Sequence, residues 1–126
     1  MTNTKFYICN HCGNVITKIH DSGVPVVCCG EKMTELVPGT VEASREKHIP
    51  EVSVRCGKVS VTVGSTEHPM SKEHSILWIY LETDKGGYIK HLSPEDEPRA
   101  EFSAKGEKPL AVYAYCNLHG LWVKEF

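Results

Sequence analysis

Four cysteines lie in two close pairs near the start of the sequence, in CNHCG (residues 9–13) and VVCCG (residues 26–30). Thiolates at this spacing can bind one ion, and a tetrahedral four-sulfur site suits zinc or iron. Adjacent strand residues point to opposite faces, so Cys28 and Cys29 can share an ion only where the backbone turns, which Gly30 permits. The pattern favours a site formed by Cys9, Cys12, Cys28 and Cys29 over a vicinal disulfide or two unrelated core thiols.

A second set of possible ligands comes from three separate segments, REKHIPE, STEHPMSKEHS and YAYCNLHG. Four neutral imidazoles and one thiolate suit a ferrous ion better than zinc, which closes its coordination sphere at four ligands in structural sites. Five ligands would leave one position open on an octahedral metal. The alternative is that these are surface loop histidines and a buried free thiol. The residues concerned are His48, His68, His74, Cys116 and His119.

The composition of the 126-residue chain narrows the possible classes of function. Lys and Arg number 14 against 16 Asp and Glu, a balance that argues against a nucleic-acid partner. We expect no membrane segment, because no apolar run approaches the roughly 18 residues that a span requires. The first residues lack the apolar core of a secretory signal, so we expect a cytoplasmic protein. In a reducing compartment, six cysteines indicate metal ligands or reactive thiols rather than disulfides.

The sequence divides near ELVPGT (residues 35–40), where Pro38 and Gly39 mark a turn or linker. We therefore expect a small domain over residues 1–37 and a larger one over 38–126. Chains below roughly 40 residues rarely bury enough apolar surface to fold without a metal, disulfides or a partner. Metal binding by the small domain would then also be its folding.

The larger domain is predicted to be β throughout. VSVRCGKVSVTV (residues 52–63) alternates valine with polar residues on both sides of a turn, and SILWIYLET precedes a second turn at residues 84–87. YIKHL follows that turn as the partner strand, and further short strands are predicted in AEFSA, PLAVYAYC and GLWVKEF. About seven strands suggest an antiparallel sandwich of immunoglobulin-like type. Its predicted core includes Val54, Val61, Ile76, Trp78, Tyr80, Val112, Tyr113 and Trp122.

Together, CNHCG and VVCCG, then EKHIP, EHPMSKEH and CNLHG resemble desulfoferrodoxin, the two-iron superoxide reductase family, in the right order over the whole chain. The resemblance implies an all-β chain with a desulforedoxin-like N-terminal domain, an immunoglobulin-like catalytic domain, and a homodimer. It implies two irons per chain. One is an electron-transfer iron held by the four N-terminal cysteines. The other has four equatorial histidines, His48, His68, His74 and His119, with Cys116 axial.

The resemblance also implies a reaction and the residues that assist it. Superoxide would take one electron and two protons and leave as hydrogen peroxide, with a rubredoxin-like protein as electron donor. Lys47 would attract the anion and hold a water that supplies a proton, and Glu46 would occupy the sixth position in the oxidised resting state. Taken alone, a Glu-Lys dipeptide is usually a solvated ion pair.

Three other functions remain open at this point. The chain could be a pure electron-transfer protein in which only the four-sulfur iron works. It could be a scaffold in which a zinc knuckle is fused to an immunoglobulin-like domain. It could also dismutate superoxide, although an electron-rich, thiolate-bound iron should favour reduction. The scaffold needs no Glu-Lys pair beside His48, and the electron-transfer protein needs no open metal position.

Overall fold

The computed structural model describes residues 4–39 and 45–126. The chain divides into two compact units, one before Pro38 and one from Pro38 to Phe126. The first contains an antiparallel sheet in the order β2-β1-β5, formed by β1 (Phe6–Ile8), β2 (Val15–Thr17) and β5 (Thr34–Leu36). A short hairpin of β3 (Val27–Cys28) and β4 (Glu31–Lys32) completes it.

The small unit has almost no apolar core. Among residues 4–37 only Phe6 and Cys9 are buried, whereas Ile19 is 99% exposed and Val24 66% exposed. So little buried area cannot offset the conformational entropy of ordering this many residues. Stability must come from another source, and the four cysteines of this unit are the obvious one.

The larger unit is an antiparallel sandwich preceded by one helical turn, α1 (Arg45–His48). Its strands are β6 (Pro50–Arg55), β7 (Lys58–Val63), β8 (Ile76–Thr83), β9 (Gly87–His91), β10 (Arg99–Ser103), β11 (Pro109–Cys116) and β12 (Gly120–Glu125). One sheet has the order β10-β7-β6 and the other the order β12-β11-β8-β9. The predicted all-β class, with a small N-terminal domain and an immunoglobulin-like sandwich, is confirmed.

The predicted core is correct for Val61, Ile76 and Val112, which belong to the main buried cluster. It is wrong for Val54, which is 49% exposed. Val54 pairs with the buried Val59, but β6 is the outer strand of its sheet and leaves the side chain in solvent.

Three predicted core aromatics occupy a different place from the main cluster. Trp78, Tyr80 and Tyr113 lie on the opposite face of the four-stranded sheet from Ile79, Leu81 and Val112, because neighbouring strand residues alternate between faces. Trp122 is buried and pairs with the core residue Ala114.

Within residues 4–39 and 45–126, helices of the length and apolarity needed to cross a bilayer do not occur.

A carboxylate joins the β8–β9 hairpin to the loop before β11. Glu107 accepts hydrogen bonds from Thr83 Oγ1, at 2.6 Å, and from the Tyr88 hydroxyl, and these bonds lower its pKa. Its stabilising effect should be complete above the ordinary glutamate pKa of about 4.3 and should be lost as pH falls through the lower folded value. We expect Glu107→Gln to be less stable than wild type at pH 7. Denaturant unfolding between pH 7 and pH 3 should show the difference shrinking with acid, and a constant difference would contradict this.

Candidate metal centres

The four N-terminal cysteines meet in one place. Their sulfur atoms all lie within 4.8 Å of one another, and all four thiols are free. The first pair is set by a tight turn in which the Gly13 N–H donates to the Cys9 carbonyl at 2.9 Å and the Cys9 N–H donates to the Asn14 carbonyl at 2.8 Å. This turn points the Cys12 N–H at the Cys9 sulfur, 3.5 Å away. Because all four thiols are free, Cys28 and Cys29 do not form a vicinal disulfide.

The adjacent cysteines share the site because the backbone turns between them. Cys28 ends β3 and pairs with Glu31, so Cys29 and Gly30 form the two-residue turn of the hairpin. Both turn residues have positive φ, 52° at Cys29 and 78° at Gly30, as a tight hairpin turn requires. The predicted turn is present, and it places a cysteine in the left-handed region as well as the glycine.

The thiols of this cluster interact strongly with one another. Hydrogen bonding from the Cys12 N–H lowers the pKa of Cys9 to about 6. Contacts with the other sulfurs, first Cys9, raise the pKa of Cys29 to about 12, and those with Cys12 and then Cys9 raise the pKa of Cys28. One thiolate forms easily, and each further negative charge is opposed unless a cation replaces the protons. A soft divalent or trivalent metal supplies that cation, so the residues fit a tetrathiolate ion.

The second centre collects residues from the loops at one end of the sandwich. His48 ends α1, His68 and His74 lie between β7 and β8, Cys116 ends β11, and His119 lies in the turn to β12. One ligand atom from each of His48, His68, His74 and Cys116 lies within 4.8 Å of the others. His119 joins them, with Nδ1 3.2 Å from His48 Nε2 and 3.8 Å from the Cys116 sulfur.

The four imidazoles form a closed ring. Neighbouring ring centroids are 4.6 Å apart for His48–His68 and His68–His74, 5.1 Å for His74–His119 and 4.9 Å for His119–His48. Across the ring, His48 and His74 are 6.3 Å apart. The structure thus brings all five predicted ligands together, with the sulfur of the fully buried Cys116 beside the ring of imidazoles.

The protonation of His68 and His74 suits metal binding. The His68 Nδ1–H group donates to the Pro69 carbonyl at 2.7 Å. The Nε2 atom of the neutral ring therefore carries no proton, and its lone pair faces His48 Nε2 at 3.1 Å. Burial lowers the pKa of His68 to about 4, and the pKa of His74 is lowered by burial and by the charges of His119 and Lys47. Within the part of the chain that the structure describes, His74 Nε2 is buried without a hydrogen-bond partner. Neutral rings with converging lone pairs fit a bound cation.

Two opposing effects act on the pKa of the Cys116 thiol. Burial raises its pKa, while the backbone N–H groups of Leu118 and His119 donate to the sulfur and lower it. Amide hydrogen bonds of this kind adjust how strongly a thiolate donates charge to a metal. A fully buried thiol with two such donors is suited to becoming an anionic ligand once a cation is present.

Trp122 contacts two of the histidines and was predicted only as a core residue. Its ring stacks on His48, with centroids 4.9 Å apart and planes at 26°, and its indole N–H donates to the His119 carbonyl at 3.1 Å. The residue therefore supports the ring of one ligand and the backbone of another. Its position three residues after His119 connects it with one ligand, but its stacking on His48 has no local signal in the sequence.

The exposed Glu46 and Lys47 precede His48 on the single turn of α1. The Glu46 carbonyl accepts the Thr66 N–H at 3.1 Å and the Ser65 hydroxyl at 3.2 Å, and the Gly64 N–H donates to the Ile49 carbonyl at 3.0 Å. These bonds anchor the turn to the end of β7. Lys47 is exposed and directly precedes His48 of the histidine centre, and its positive charge is one cause of the lowered pKa of His74.

Gly64 is required for this anchoring. A Cβ atom there would lie 2.4 Å from the Thr66 carbonyl oxygen, 2.7 Å from that of Lys47 and 2.8 Å from that of Glu46, and φ is +87°. Gly64→Ala should lower the free energy of unfolding by about 3 kcal/mol. Gly106→Ala is the matched control, since its φ is +82° with nothing within 4 Å, and it should cost about 1 kcal/mol. Equal losses in denaturant unfolding would show that the close contacts at Gly64 are unimportant.

Comparisons with known proteins find the same family over both units. The family model for desulfoferrodoxin matches residues 40–125, and the model for the desulfoferrodoxin N-terminal domain matches residues 2–36. The desulfoferrodoxin of Nitratidesulfovibrio vulgaris is 45% identical over 121 residues, covering 96% of this chain and 95% of the relative. That of Syntrophotalea carbinolica is 44% identical and covers 94% of each chain.

Among solved structures, the superoxide reductase from Treponema pallidum is similar over 98% of this chain and 100% of its own, with a TM-score of 0.82 and 35% sequence identity. The match therefore extends over both units rather than over the sandwich alone.

Proposed function

This chain belongs to the desulfoferrodoxin family, and on that premise we propose that it is a superoxide reductase. It reduces superoxide with one electron and two protons to hydrogen peroxide. The observation that carries this proposal is the closed ring of four imidazoles beside the buried sulfur of Cys116, next to the exposed turn that carries Glu46 and Lys47.

Two irons per chain are the cofactors. We assign one to Cys9, Cys12, Cys28 and Cys29, and the other to His48, His68, His74, Cys116 and His119. When bound, the iron of the histidine–cysteine centre supplies the electron that superoxide receives. Five protein ligands leave room for a small anion, which a closed four-ligand structural site does not provide.

Lys47 is proposed to bring the substrate to this centre and to assist its protonation. Superoxide is an anion, and an exposed cation beside a concave site raises both its local concentration and its rate of arrival. The positive charge of Lys47 contributes to the lowered pKa of His74, and this residue directly precedes the ligand His48 in the sequence. An ammonium group there can also hold a water that passes a proton to the reduced substrate. Glu46, its neighbour on the same turn, would supply a carboxylate to the bound iron in the oxidised resting state.

Cys116 is proposed to set the electron-donating strength of the centre. A thiolate donates more electron density than any imidazole, and this favours giving an electron to superoxide over taking one from it. The N–H groups of Leu118 and His119 draw part of that density away from the sulfur. The electron donation of the thiolate is the reason that we propose reduction rather than dismutation.

Replacing Lys47 by alanine should slow the reaction with superoxide about tenfold, because the local positive charge and the proton source are both lost. The visible spectrum of the histidine–cysteine centre should not change, since Lys47 is not among its ligands. Pulse radiolysis at low ionic strength measures the second-order rate constant. Lys124→Ala removes an exposed lysine near the end of β12 and should leave the rate unchanged. An unchanged rate in Lys47→Ala would remove this residue from the mechanism.

We further propose the roles of the two domains, an electron donor, an oligomeric state and a location for this protein. Residues 1–37 form the electron-transfer domain and residues 38–126 the catalytic domain. A rubredoxin-like protein is the electron donor, the working form is a homodimer, and its place is the cytoplasm, where it removes superoxide under oxidative stress. The nearly balanced charge, 14 cationic against 16 anionic side chains, argues against a nucleic-acid partner.

The first test is the iron content per chain, measured together with the visible spectrum before and after mild oxidation. Two irons are expected, with a ferric tetrathiolate spectrum and a further band that develops on oxidation of the histidine–cysteine centre. One zinc, no iron and a colourless protein would contradict the redox function and would favour the scaffold alternative.

A further inference from the structure

Asn117 lies in the segment between Cys116 and His119, and its side chain joins that segment to the loop that carries His74. Its Oδ1 atom accepts the backbone N–H of Ser75 at 3.0 Å, and its Nδ2 group donates to the Glu73 carbonyl at 2.9 Å. The backbone N–H of Asn117 also donates to the Ser75 carbonyl at 3.2 Å. The residues on both sides of His74 are therefore held by one asparagine.

The backbone of His74 itself is held by Ser71. The His74 N–H donates to the Ser71 hydroxyl oxygen at 3.1 Å, and the His74 carbonyl accepts the Ser71 N–H at 2.9 Å. The loop thus has its own internal bonds, and the side chain of Asn117 adds two hydrogen bonds between the loop and the segment that carries Cys116. The imidazole gains no such support from its own Nε2 atom, which is buried without a partner in the described residues.

On the basis of the iron centre in the proposed function, we infer that Asn117 is a positioning residue that holds His74 in register with Cys116 and His119. A primary amide suits this role because it offers an acceptor and a donor a few ångströms apart, one for the Ser75 N–H and one for the Glu73 carbonyl. An aspartate keeps the acceptor and loses the donor. A leucine of similar size loses both and leaves the backbone N–H of the buried Ser75 without its acceptor.

The test compares iron release from the two centres of the same molecule. Wild type, Asn117→Leu and Asn117→Asp are loaded with iron and mixed with a strong chelator, and loss is followed in the separate visible bands of the two centres. Asn117→Leu should release iron from the histidine–cysteine centre at least about tenfold faster, the scale of changes in residues that support metal ligands. The visible band of this centre should also shift. The tetrathiolate band should keep both its wild-type position and its wild-type rate of decay.

Asn117→Asp should release iron faster than wild type and more slowly than Asn117→Leu. Its added negative charge by itself favours retention of a cation, so faster release must come from the lost donor. Asp84→Ala is the control for general loosening of the sandwich. Asp84 lies at the opposite end of β8 from the centre and makes a similar pair of hydrogen bonds. Its side chain accepts the Lys108 N–H at 2.8 Å, and its own N–H donates to the Lys108 carbonyl at 3.0 Å.

The outcomes separate this inference from the proposed function. Wild-type release rates and spectra in Asn117→Leu would overturn the positioning role while leaving the reductase proposal intact. Equal acceleration in Asp84→Ala would also overturn it, because the effect would then be one of overall stability. If Asn117→Leu does not fold, a wild-type rate and band in Asn117→Asp would overturn the role. Wild-type protein without iron at the histidine–cysteine centre would overturn the proposed function and this inference together.

Discussion

Replacing Cys116 by serine is expected to abolish superoxide reduction, with a fall of about a hundredfold or more in the second-order rate constant. Changes that only support a metal ligand cost 10- to 100-fold, and loss of a ligand should cost at least as much. The serine hydroxyl does not ionise near neutral pH and donates far less charge than a thiolate. Because position 116 is fully buried, bulk water cannot easily replace the missing ligand.

Pulse radiolysis of reduced Cys116→Ser measures the rate, and the visible spectrum after oxidation reports the sulfur-to-iron band. The band of the histidine–cysteine centre should disappear while the tetrathiolate spectrum stays as an internal reference. Cys56→Ser is the matched control. This thiol is exposed in the β6–β7 turn and should be replaceable without effect. A Cys116→Ser variant that keeps the wild-type rate would show that the thiolate is not needed.

Removal of the tetrathiolate ion is expected to unfold the small unit and to leave the sandwich folded. The double variant Cys12→Ser with Cys29→Ser removes two sulfur ligands without touching the other centre. With only Phe6 and Cys9 buried among residues 4–37, the unit has no core to hold it once the metal is lost. The sandwich keeps its own buried cluster of valine, isoleucine, leucine and alanine side chains.

Hydrogen exchange read by mass spectrometry measures both units in one experiment. Peptides from residues 4–37 should exchange at nearly unfolded rates in the double variant, while peptides from β8 and β11 should stay protected as in wild type. The Cys116→Ser variant is the reciprocal control and should keep the small unit protected. Slow exchange in residues 4–37 of the double variant would mean that this unit folds without its metal.

Ligand types and spacing allowed much of both candidate centres to be predicted. The Cys-x-x-Cys pair, the adjacent Cys28 and Cys29, and Gly30 required a turn that brings four sulfurs together, and the structure has that turn. The left-handed conformation of Cys29 was not predictable, because cysteine has no intrinsic preference for it. It follows from a two-residue hairpin in which both central residues need positive φ.

The supporting residues could not be predicted from local patterns. Asn117 and Trp122 act across long stretches of sequence: Asn117 binds the backbone of residues 73 and 75, and Trp122 stacks on His48. Such contacts depend on which loops meet at the end of the sandwich. The turn α1 was missed because four residues are too few to show a helical period, and Val54 was misplaced because alternation does not reveal which strand lies at an edge.

The yield of hydrogen peroxide per superoxide consumed is the most direct test of the central claim. The protein is supplied with a reduced rubredoxin-type donor and a known amount of superoxide, and peroxide, oxygen and oxidised donor are measured together. A superoxide reductase should form one peroxide for each superoxide, oxidise one donor equivalent and release no oxygen. One peroxide for every two superoxides, with oxygen released and the donor unspent, would identify a dismutase and contradict the account.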